Sequence, residues 1–299
     1  MNNYNLHNLN YNNLSYLFSS YYCKDRIKFN KESYEKYRKL GLILLDKIRN
    51  IPLHNISQQT EYCTIFIDNR KDSFFEFIIR MILIQLNNEW MHYVICTNNN
   101  FEFMKNMCNK ISKNIIVIQL DSQYKLNSVN SYSDLLKTEY FWNLFNSKKA
   151  LIYQSDTFIF DSTLLSQFMI YDYIGAPWIH TPYNLVVGNG GLSLRNISVM
   201  KEIIQYHLHL LNNSNKNSNI DNIDSLPEDV FFGYYLKKLQ KKIPNILTAA
   251  KFSLENICFI ENQTYFGGHQ FWFCLSNWKE LVENNITKLI VMNSNKIKL

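Results

Sequence analysis

Four short apolar runs, separated by stretches with helical spacing, occupy the chain between residues 62 and 154. The runs cover residues 62–68, 92–97, 114–120 and 149–154, and the first three are rich in β-branched side chains. Between them, residues 74–86, 101–111 and 133–145 carry apolar side chains at helical spacing. Near-continuous apolar strands that alternate with helices are typical of a parallel sheet covered on both faces. The pattern predicts an α/β fold with a mostly parallel central sheet flanked by helices.

The organisation of the rest of the chain follows from the same pattern. Residues 30–50 have the spacing of an amphipathic helix that lies against the main domain. Asparagine clusters at 1–13 and 212–222, which we interpret as a tail and a surface loop. We predict an Asn-rich tail over 1–29, a helical segment over 30–60, a main domain over 61–275 and a C-terminal segment over 276–299.

Composition narrows the classes of partner. With 299 residues, of which 46% are hydrophobic, the chain can bury a large core. A net charge of +6 without a long basic run does not predict nucleic-acid binding, whereas an anionic small substrate fits. Six cysteines without a CxxC pair, no run long enough to span a membrane and no signal-peptide pattern predict a cytoplasmic protein.

Asp156 ends the last of the four strands, at the sheet edge where ligands bind in such folds. An acid there can simply cap the following turn. Alternatively, Asp156 binds a divalent cation that bridges a nucleotide diphosphate and stabilises the charge on the leaving group. Both interpretations stay open at the level of sequence.

The segment from Val186 to Arg195 contains Asn189, Gly190 and Gly191 in succession. Asn-Gly between apolar runs predicts a type I′ hairpin turn. A second glycine is not needed for that turn, and two glycines could leave backbone amides free to bind a sugar or phosphate. Arg195 either binds a phosphate or forms a structural ion pair.

Two acids, Glu228 and Asp229, open a predicted helix after Pro227. Ser225 and Glu228 have the spacing of a capping box, which accounts for Glu228. Asp229 is either a favourable first-turn acid or a general base that deprotonates an acceptor hydroxyl.

His269 stands among glycines and aromatic residues late in the chain. A histidine in such surroundings can be a satisfied core residue. The alternative makes it a metal ligand or a diphosphate contact, with Trp272 as a wall of the site.

In this order, the segments resemble a family catalogued as a domain of unknown function, number 5672, which is assigned by similarity to glycosyltransferases of the GT-A type. The match extends from about residue 62 to 272. Its carriers are residues 68–70, 89–90, 132–136, 141–142, 154–156, 172–178, 188–195, 228–232 and 267–269.

The resemblance implies a GT-A-like nucleotide-diphospho-sugar transferase fold and a set of site residues. In GT-A enzymes an Asp-x-Asp or degenerate acidic motif holds Mn²⁺ or Mg²⁺. Here Gln154 takes the place of the first acid, so Asp156 alone of that motif can bind the metal, with His269 as a second ligand. The resemblance makes Asp229 the catalytic base. It assigns donor or acceptor contacts to Asp68, Arg70, Trp178, Asn189, Gly190, Gly191, Arg195, Glu228 and Trp272.

The expected function is metal-dependent transfer of a hexose from a nucleotide-sugar donor to a hydroxyl of a glycan, protein or lipid. Direct displacement with Asp229 as base would invert the sugar, whereas a retaining mechanism stays open if Asp229 is only a helix-start acid. A sugar nucleotidyltransferase is less favoured, because residues 69–75 after the first strand contain no glycine. A non-catalytic nucleotide-sugar or carbohydrate-binding protein is the remaining alternative.

Overall fold

The computed structural model describes residues 26–53, 55–86, 88–178, 185, 188–213, 221–255 and 264–296. The helices are α1 Arg26–Arg49, α2 Phe74–Gln85, α3 Phe101–Ile111, α4 Val129–Leu136, α5 Glu139–Asn143, α6 Ile197–Asn213, α7 Asp221–Asp224, α8 Glu228–Lys238, α9 Ile246–Phe252 and α10 Trp278–Lys296. Two 3₁₀ helices cover Ser162–Phe168 and Phe271–Phe273.

A six-stranded sheet forms the centre of the molecule. Its strands are β1 Tyr62–Ile67, β2 Trp90–Cys96, β3 Ile116–Gln119, β4 Lys149–Tyr153, β6 Tyr173–Ile174 and β7 Leu192–Asn196, in the order β3-β2-β1-β4-β7-β6. β1 to β4 are parallel, and β7 runs antiparallel to both of its neighbours. Buried side chains form one apolar cluster on each face. The predicted α/β architecture with a mostly parallel sheet flanked by helices is confirmed.

A second, three-stranded sheet lies beyond the carboxyl end of β4. It consists of β5 Thr157–Ile159, β8 Ser253–Leu254 and β9 Gly267–His269, with β9 in the middle. Strands β5 and β9 are antiparallel, with Thr157 opposite His269. This pairing places the end of the fourth apolar run, over 149–154, beside the glycine-rich segment that contains β9.

Helix α1 packs along the main domain. It starts at Arg26, four residues before the predicted segment, and contacts α2 and α10. Tyr37, Leu44 and Ile48 are buried at this contact, as the amphipathic spacing predicts. Residues 1–25 of the predicted tail and residues 214–220 of the predicted loop lie outside the described residues.

The predicted helix over 133–145 is two helices. α4 ends at Leu136, and Thr138 begins α5 as its N-cap, where the hydroxyl accepts a hydrogen bond from the Phe141 amide at 3.2 Å. The Thr138 hydroxyl takes the place of a helical backbone carbonyl as the acceptor for the Phe141 amide. One helix therefore ends here and a second one begins.

The thiols of Cys63, Cys96 and Cys108 are buried, and burial raises the pKa of each. They act as small apolar side chains, as their positions in the sequence predict. In the part of the chain that the structure describes, no helix has both the length and the apolar character needed to cross a bilayer.

Candidate active site

A cleft of about 530 Å³ opens at the carboxyl ends of β1 and β4. One side is formed by the strand ends, and the other by α1 and by the segment that leads into α4. The lining residues are Ile27, Asn30, Lys31, Tyr34, Ile67, Asp68, Asn69, Arg70, Leu126, Ser128, Val129, Tyr132, Gln154, Ser155 and Asp156. Three residues of the predicted site, Asp68, Arg70 and Asp156, therefore share one cavity.

Asp68 and Arg70 form a tight pair on the floor of this cleft. The Arg70 Nη2 lies 2.6 Å from Asp68 Oδ2, and Arg70 Nε donates to Oδ1 at 3.0 Å. Arg70 Nη2 also donates to the Ser155 hydroxyl at 2.9 Å, which ties the end of β1 to the end of β4. The Asn100 amide donates to the backbone carbonyls of Asp68 and Arg70 and holds the loop in place.

Asp156 stands between β4 and β5, and its two carboxylate oxygens have different neighbours. Gln270 Nε2 donates to Oδ2 at 3.0 Å, and His269 Nε2 lies 3.2 Å from Oδ1. Burial works to raise the pKa of Asp156, but the charge of His269 together with the contacts from the His269 and Gln270 side chains outweighs burial and lowers the pKa. The interpretation of Asp156 as a simple turn cap does not account for these contacts.

The ring of His269 is buried between two carboxylates. Its Nδ1 lies 3.5 Å from Glu255 Oε1, on the side opposite Asp156. Neither ring nitrogen makes a well-aligned hydrogen bond to any described residue. Burial acts to lower the pKa of His269, but Asp156 and Glu255 outweigh it and raise the pKa well above the ordinary value.

The Asn189-Gly190-Gly191 segment does not form a type I′ turn. That turn needs positive φ at both central residues, whereas in this segment only the preceding Gly188 has a positive φ, at 130°. The amides are not free either: the Gly190 amide donates to Asp229 Oδ2 at 3.3 Å, and the Gly191 amide donates to Asn189 Oδ1 at 2.9 Å.

Neighbouring side chains fill the space that the two glycines leave. A Cβ on Gly190 would lie 2.4 Å from Glu228 Oε1, and one on Gly191 would lie 2.4 Å from three atoms of the His269 ring. The glycines therefore allow the acids of α8 and the ring of His269 to approach the same stretch of backbone from its two sides.

Arg195 and Glu228 form a buried ion pair. Arg195 Nη1 and Nη2 lie 2.5 and 3.0 Å from the two carboxylate oxygens of Glu228, and their side chains are 0% and 5% exposed. The guanidinium also lies over the Tyr173 ring at 4.7 Å from the centroid. The predicted capping box is wrong, because Pro227 is the N-cap and Glu228 is the first helical residue, too early for the reciprocal bond.

Asp229 is the next residue of α8 and is partly exposed. Its Oδ1 accepts a hydrogen bond from the Val230 amide at 2.8 Å, and Oδ2 accepts the one from Gly190. Burial raises the pKa of Asp229 to about 7, and the adjacent Glu228 carboxylate adds to the rise. A carboxylate with a pKa near neutrality is suited to accept and release a proton.

The two tryptophans of the predicted site lie apart from the cleft. Trp272 is buried, and its indole Nε1 donates to Asn30 Oδ1 at 2.9 Å, so it supports α1 from behind. Trp178 packs near the glycines Gly188 and Gly233. The chain beyond Trp178 up to residue 184 lies outside the described residues.

The residues around Asp156 fit a divalent cation only in part. Among the described residues, no group of three or more His, Cys, Asp or Glu side chains could hold a metal ion. Asp156 Oδ1 and His269 Nε2 are 3.2 Å apart, the separation of an ion pair, and of the two residues Asp156 lines the cleft. Asp156 and His269 are the two side chains at this place that could hold such an ion, with Glu255 beside the other ring nitrogen.

Sequence reasoning missed several residues that the structure brings to this edge. Glu255 and Gln270 contact His269 and Asp156 respectively, and no local pattern marks either of them. Tyr132 lines the cleft with a buried hydroxyl that has no hydrogen-bond partner among the described residues. Burial raises the pKa of Tyr132, and Glu228, Arg195 and Asp229 also act on this pKa, so these three residues lie close behind this wall.

Comparisons with known proteins identify a family. The model of a family described as "Protein of unknown function (DUF5672)" matches residues 114–269, which is just over half of the chain. The matched part contains β4, the glycine segment, α8 and β9, and it excludes α1, β1 and β2. No curated protein matches the sequence.

Solved structures with a similar fold include two glycosyltransferases and a nucleotidyltransferase. The apo form of GlyE from Streptococcus pneumoniae TIGR4 has 13% identity and a TM-score of 0.45, over 79% of this chain and 64% of its own. Mouse xyloside xylosyltransferase 1 has 10% identity and a TM-score of 0.46, over 70% and 97%. The inositol-1-phosphate CTP transferase of T. maritima has 11% identity and a TM-score of 0.42, over 77% and 98%.

These likenesses are too distant to support a statement about substrate or chemistry. This chain spans less than two thirds of the length of GlyE.

Proposed function

The chain belongs to the DUF5672 family, and we propose that it is a glycosyltransferase that takes its sugar from a nucleotide-sugar donor. One observation carries the proposal: a carboxylate–histidine pair and a second carboxylate with a pKa near 7 both adjoin the Gly190-Gly191 backbone, beside an open cleft at the strand ends. The pair suits a diphosphate and its metal, and the lone carboxylate suits a proton transfer.

The donor would occupy the cleft, because that cavity contains the polar groups at the carboxyl ends of β1 and β4. Arg70 is half-exposed and can reach an anion, whereas Arg195 is fully buried against Glu228. We therefore assign donor contacts to Asp68 and Arg70. Arg195, Glu228, Gly190, Gly191 and Asn189 hold the acids and the histidine in position around the site.

Asp156 and His269 would hold Mn²⁺ or Mg²⁺, which when bound offsets the negative charge that develops on the leaving diphosphate. Glu255 Oε1 lies 3.5 Å from Nδ1 on the far side of the His269 ring, where its charge would favour this orientation of the ring. Gln270 holds the second oxygen of Asp156, so only Oδ1 is turned toward the histidine.

Asp229 would take the proton from the acceptor hydroxyl. Its pKa of about 7 leaves a substantial fraction ionised at neutral pH while keeping the group basic enough to accept a proton. A base that activates the acceptor for direct displacement inverts the configuration of the transferred sugar. The acceptor class, whether glycan, protein or lipid, and the predicted cytoplasmic location remain predictions.

The deciding experiment measures release of nucleoside diphosphate from a panel of nucleotide sugars, with and without Mn²⁺. The comparison is between wild type, Asp156→Asn and Asp229→Asn. Metal-dependent release from one donor, reduced at least a hundredfold in both variants, supports the transferase. An inverted product by NMR of the transferred sugar supports Asp229 as base.

The alternative is a nucleotide-sugar or carbohydrate-binding protein without turnover. It predicts saturable binding of a nucleotide or sugar by calorimetry but no release from any donor in the panel. That result would replace the transferase proposal.

A further inference from the structure

We infer that helix α1 forms half of the nucleotide site, with Lys31 on the diphosphate and Ile27 and Val129 on either side of the base. The inference rests on the proposed function and deepens it. Helix α1 lies outside the segment that the family model matches, so its part in the site comes from the structure of this chain.

The first argument is the placement of α1. Ile27, Asn30, Lys31 and Tyr34 follow the spacing of one helical face, and all four line the cleft. The Tyr34 hydroxyl donates to Ser155 Oγ at 3.0 Å, and the Tyr37 hydroxyl donates to the Thr157 carbonyl at 2.9 Å. These bonds fix the helix to the two residues that flank Asp156.

The second argument is charge. In the cleft, Asp68 is paired with Arg70, and Asp156 faces His269. Lys31 is exposed and has no ion-pair partner in the described part of the chain. An unmatched ammonium at the rim of a cavity that also contains Asp156 is placed to attract an anion, and a diphosphate is the anion that the proposed donor brings.

The third argument is the exposure of apolar side chains at the rim. Ile27 and Val129 are 88% and 74% exposed, and both line this cleft, one from α1 and one from α4. Exposed apolar side chains on both rims of a polar cleft suit a ligand with a flat apolar part and a charged part. A nucleoside diphosphate has both.

The test measures binding of UDP, GDP and inorganic pyrophosphate to the full chain by calorimetry in the presence of Mn²⁺. The variant Lys31→Gln should weaken all three ligands about tenfold, the size expected for one charged contact. Lys28→Gln is the matched control, because it removes the same charge from the same helix but lies outside this cleft. It should change affinity less than twofold.

Comparing a nucleotide with pyrophosphate, which has no base, separates the contacts to the base from the contact to the phosphates. Ile27→Asn and Val129→Asn should each weaken the preferred nucleotide about fivefold through lost apolar contact, and leave pyrophosphate unchanged. All of these side chains are exposed, so each variant should melt near the melting temperature of wild type. A much lower melting temperature would identify a misfolded variant.

The outcomes distinguish the inference from the function. If nucleotide binds to wild type and weakens in Asp156→Asn but not in Lys31→Gln, Ile27→Asn or Val129→Asn, α1 has no part in the site and the inference is wrong. If neither nucleotide nor pyrophosphate binds to wild type, the proposed function fails and the inference fails with it.

Discussion

Two arginine–carboxylate pairs in this protein have similar geometry and very different surroundings. Arg70 and Asp68 meet in the open cleft, where the arginine side chain is 52% exposed, whereas Arg195 and Glu228 meet in the interior at 0% and 5%. An exposed pair contributes little to stability and can exchange its partner for a ligand. A buried pair cannot lose either partner without leaving a charge unmatched. We therefore propose that the exposed pair belongs to the surface that binds the donor and that the buried pair holds the surrounding residues in position.

Asp229 follows Glu228 in α8 and is partly exposed, and its removal should have the largest effect. We expect Asp229→Asn to lower kcat about 10²- to 10⁴-fold, the usual contribution of a general base, with little change in donor KM. Steady-state kinetics on the preferred donor measures this. A loss below tenfold would leave Asp229 as a first-turn acid and reopen a retaining mechanism.

The pH dependence of the same residue gives a second readout. Because the pKa of Asp229 is about 7 in the folded protein, the transfer rate should fall as the pH drops below about 7 and the carboxylate becomes protonated. Its ordinary pKa is 3.8, so between about pH 4 and 7 the folded state binds more protons and stability falls as the pH rises. Asp229→Asn should therefore melt higher than wild type at pH 8, and the difference should shrink toward pH 4.

The two ion pairs can be compared directly by equivalent substitutions. Arg195→Met should lower the free energy of unfolding by about 3–5 kcal/mol, because it leaves Glu228 buried without its partner. Arg70→Met should lower it by less than about 1 kcal/mol and weaken donor binding instead. Urea unfolding and donor titration of both variants measure the contrast. Similar losses of stability in the two variants would contradict the division of the site.

A substitution at Gly191, which lies against the His269 ring, tests whether the position of His269 matters for metal binding. We expect Gly191→Ala to displace the ring, since the new Cβ would lie 2.4 Å from it, at a stability cost of about 1–3 kcal/mol. Mn²⁺ affinity, measured by electron paramagnetic resonance in the presence of a nucleoside diphosphate, should fall. The control is Gly233→Ala, where the nearest atom to the new Cβ is the tip of Leu185 at 3.2 Å. Unchanged Mn²⁺ affinity in Gly191→Ala would argue against His269 as a ligand.

The smallest expected effect is at the cleft wall. Tyr34→Phe removes the hydrogen bond to Ser155 and should lower stability by about 1 kcal/mol. The donor KM should rise a few-fold while kcat stays constant, because the change loosens α1 and leaves Asp229 untouched. Tyr124→Phe is a control on a tyrosine outside the cleft. A fall in kcat with constant KM would place Tyr34 in the chemistry rather than in the wall.

Local patterns predicted the strands well because each strand carries its own signal. The runs over 62–68, 92–97, 114–120 and 149–154 are apolar, the first three are rich in β-branched side chains, and all four correspond to β1 to β4 with errors of one or two residues at the ends. The break between α4 and α5 was missed because the hydroxyl of one residue, Thr138, outweighs the helical spacing on either side.

Turn and cap signals were less reliable around the glycine segment. Asn189-Gly190 has the composition of a type I′ turn, and Ser225 and Glu228 have the spacing of a capping box. Both predictions failed because Glu228 instead pairs with Arg195 and its carboxylate packs against Gly190. Glu228 is 33 residues from Arg195, so no short window of sequence contains both partners of this pair.

The sequence by itself determined the parallel strands and the arrival of Asp68, Arg70 and Asp156 at their carboxyl edge, because strand propensity and burial are properties of short segments. Only the tertiary structure decided which groups meet there. His269 reaches Asp156 because β9 pairs with β5 across more than a hundred residues, and Lys31 reaches the cleft because α1 packs onto the end of β4. Such contacts depend on how distant segments pack against each other. The order of residues within any one segment does not specify that packing.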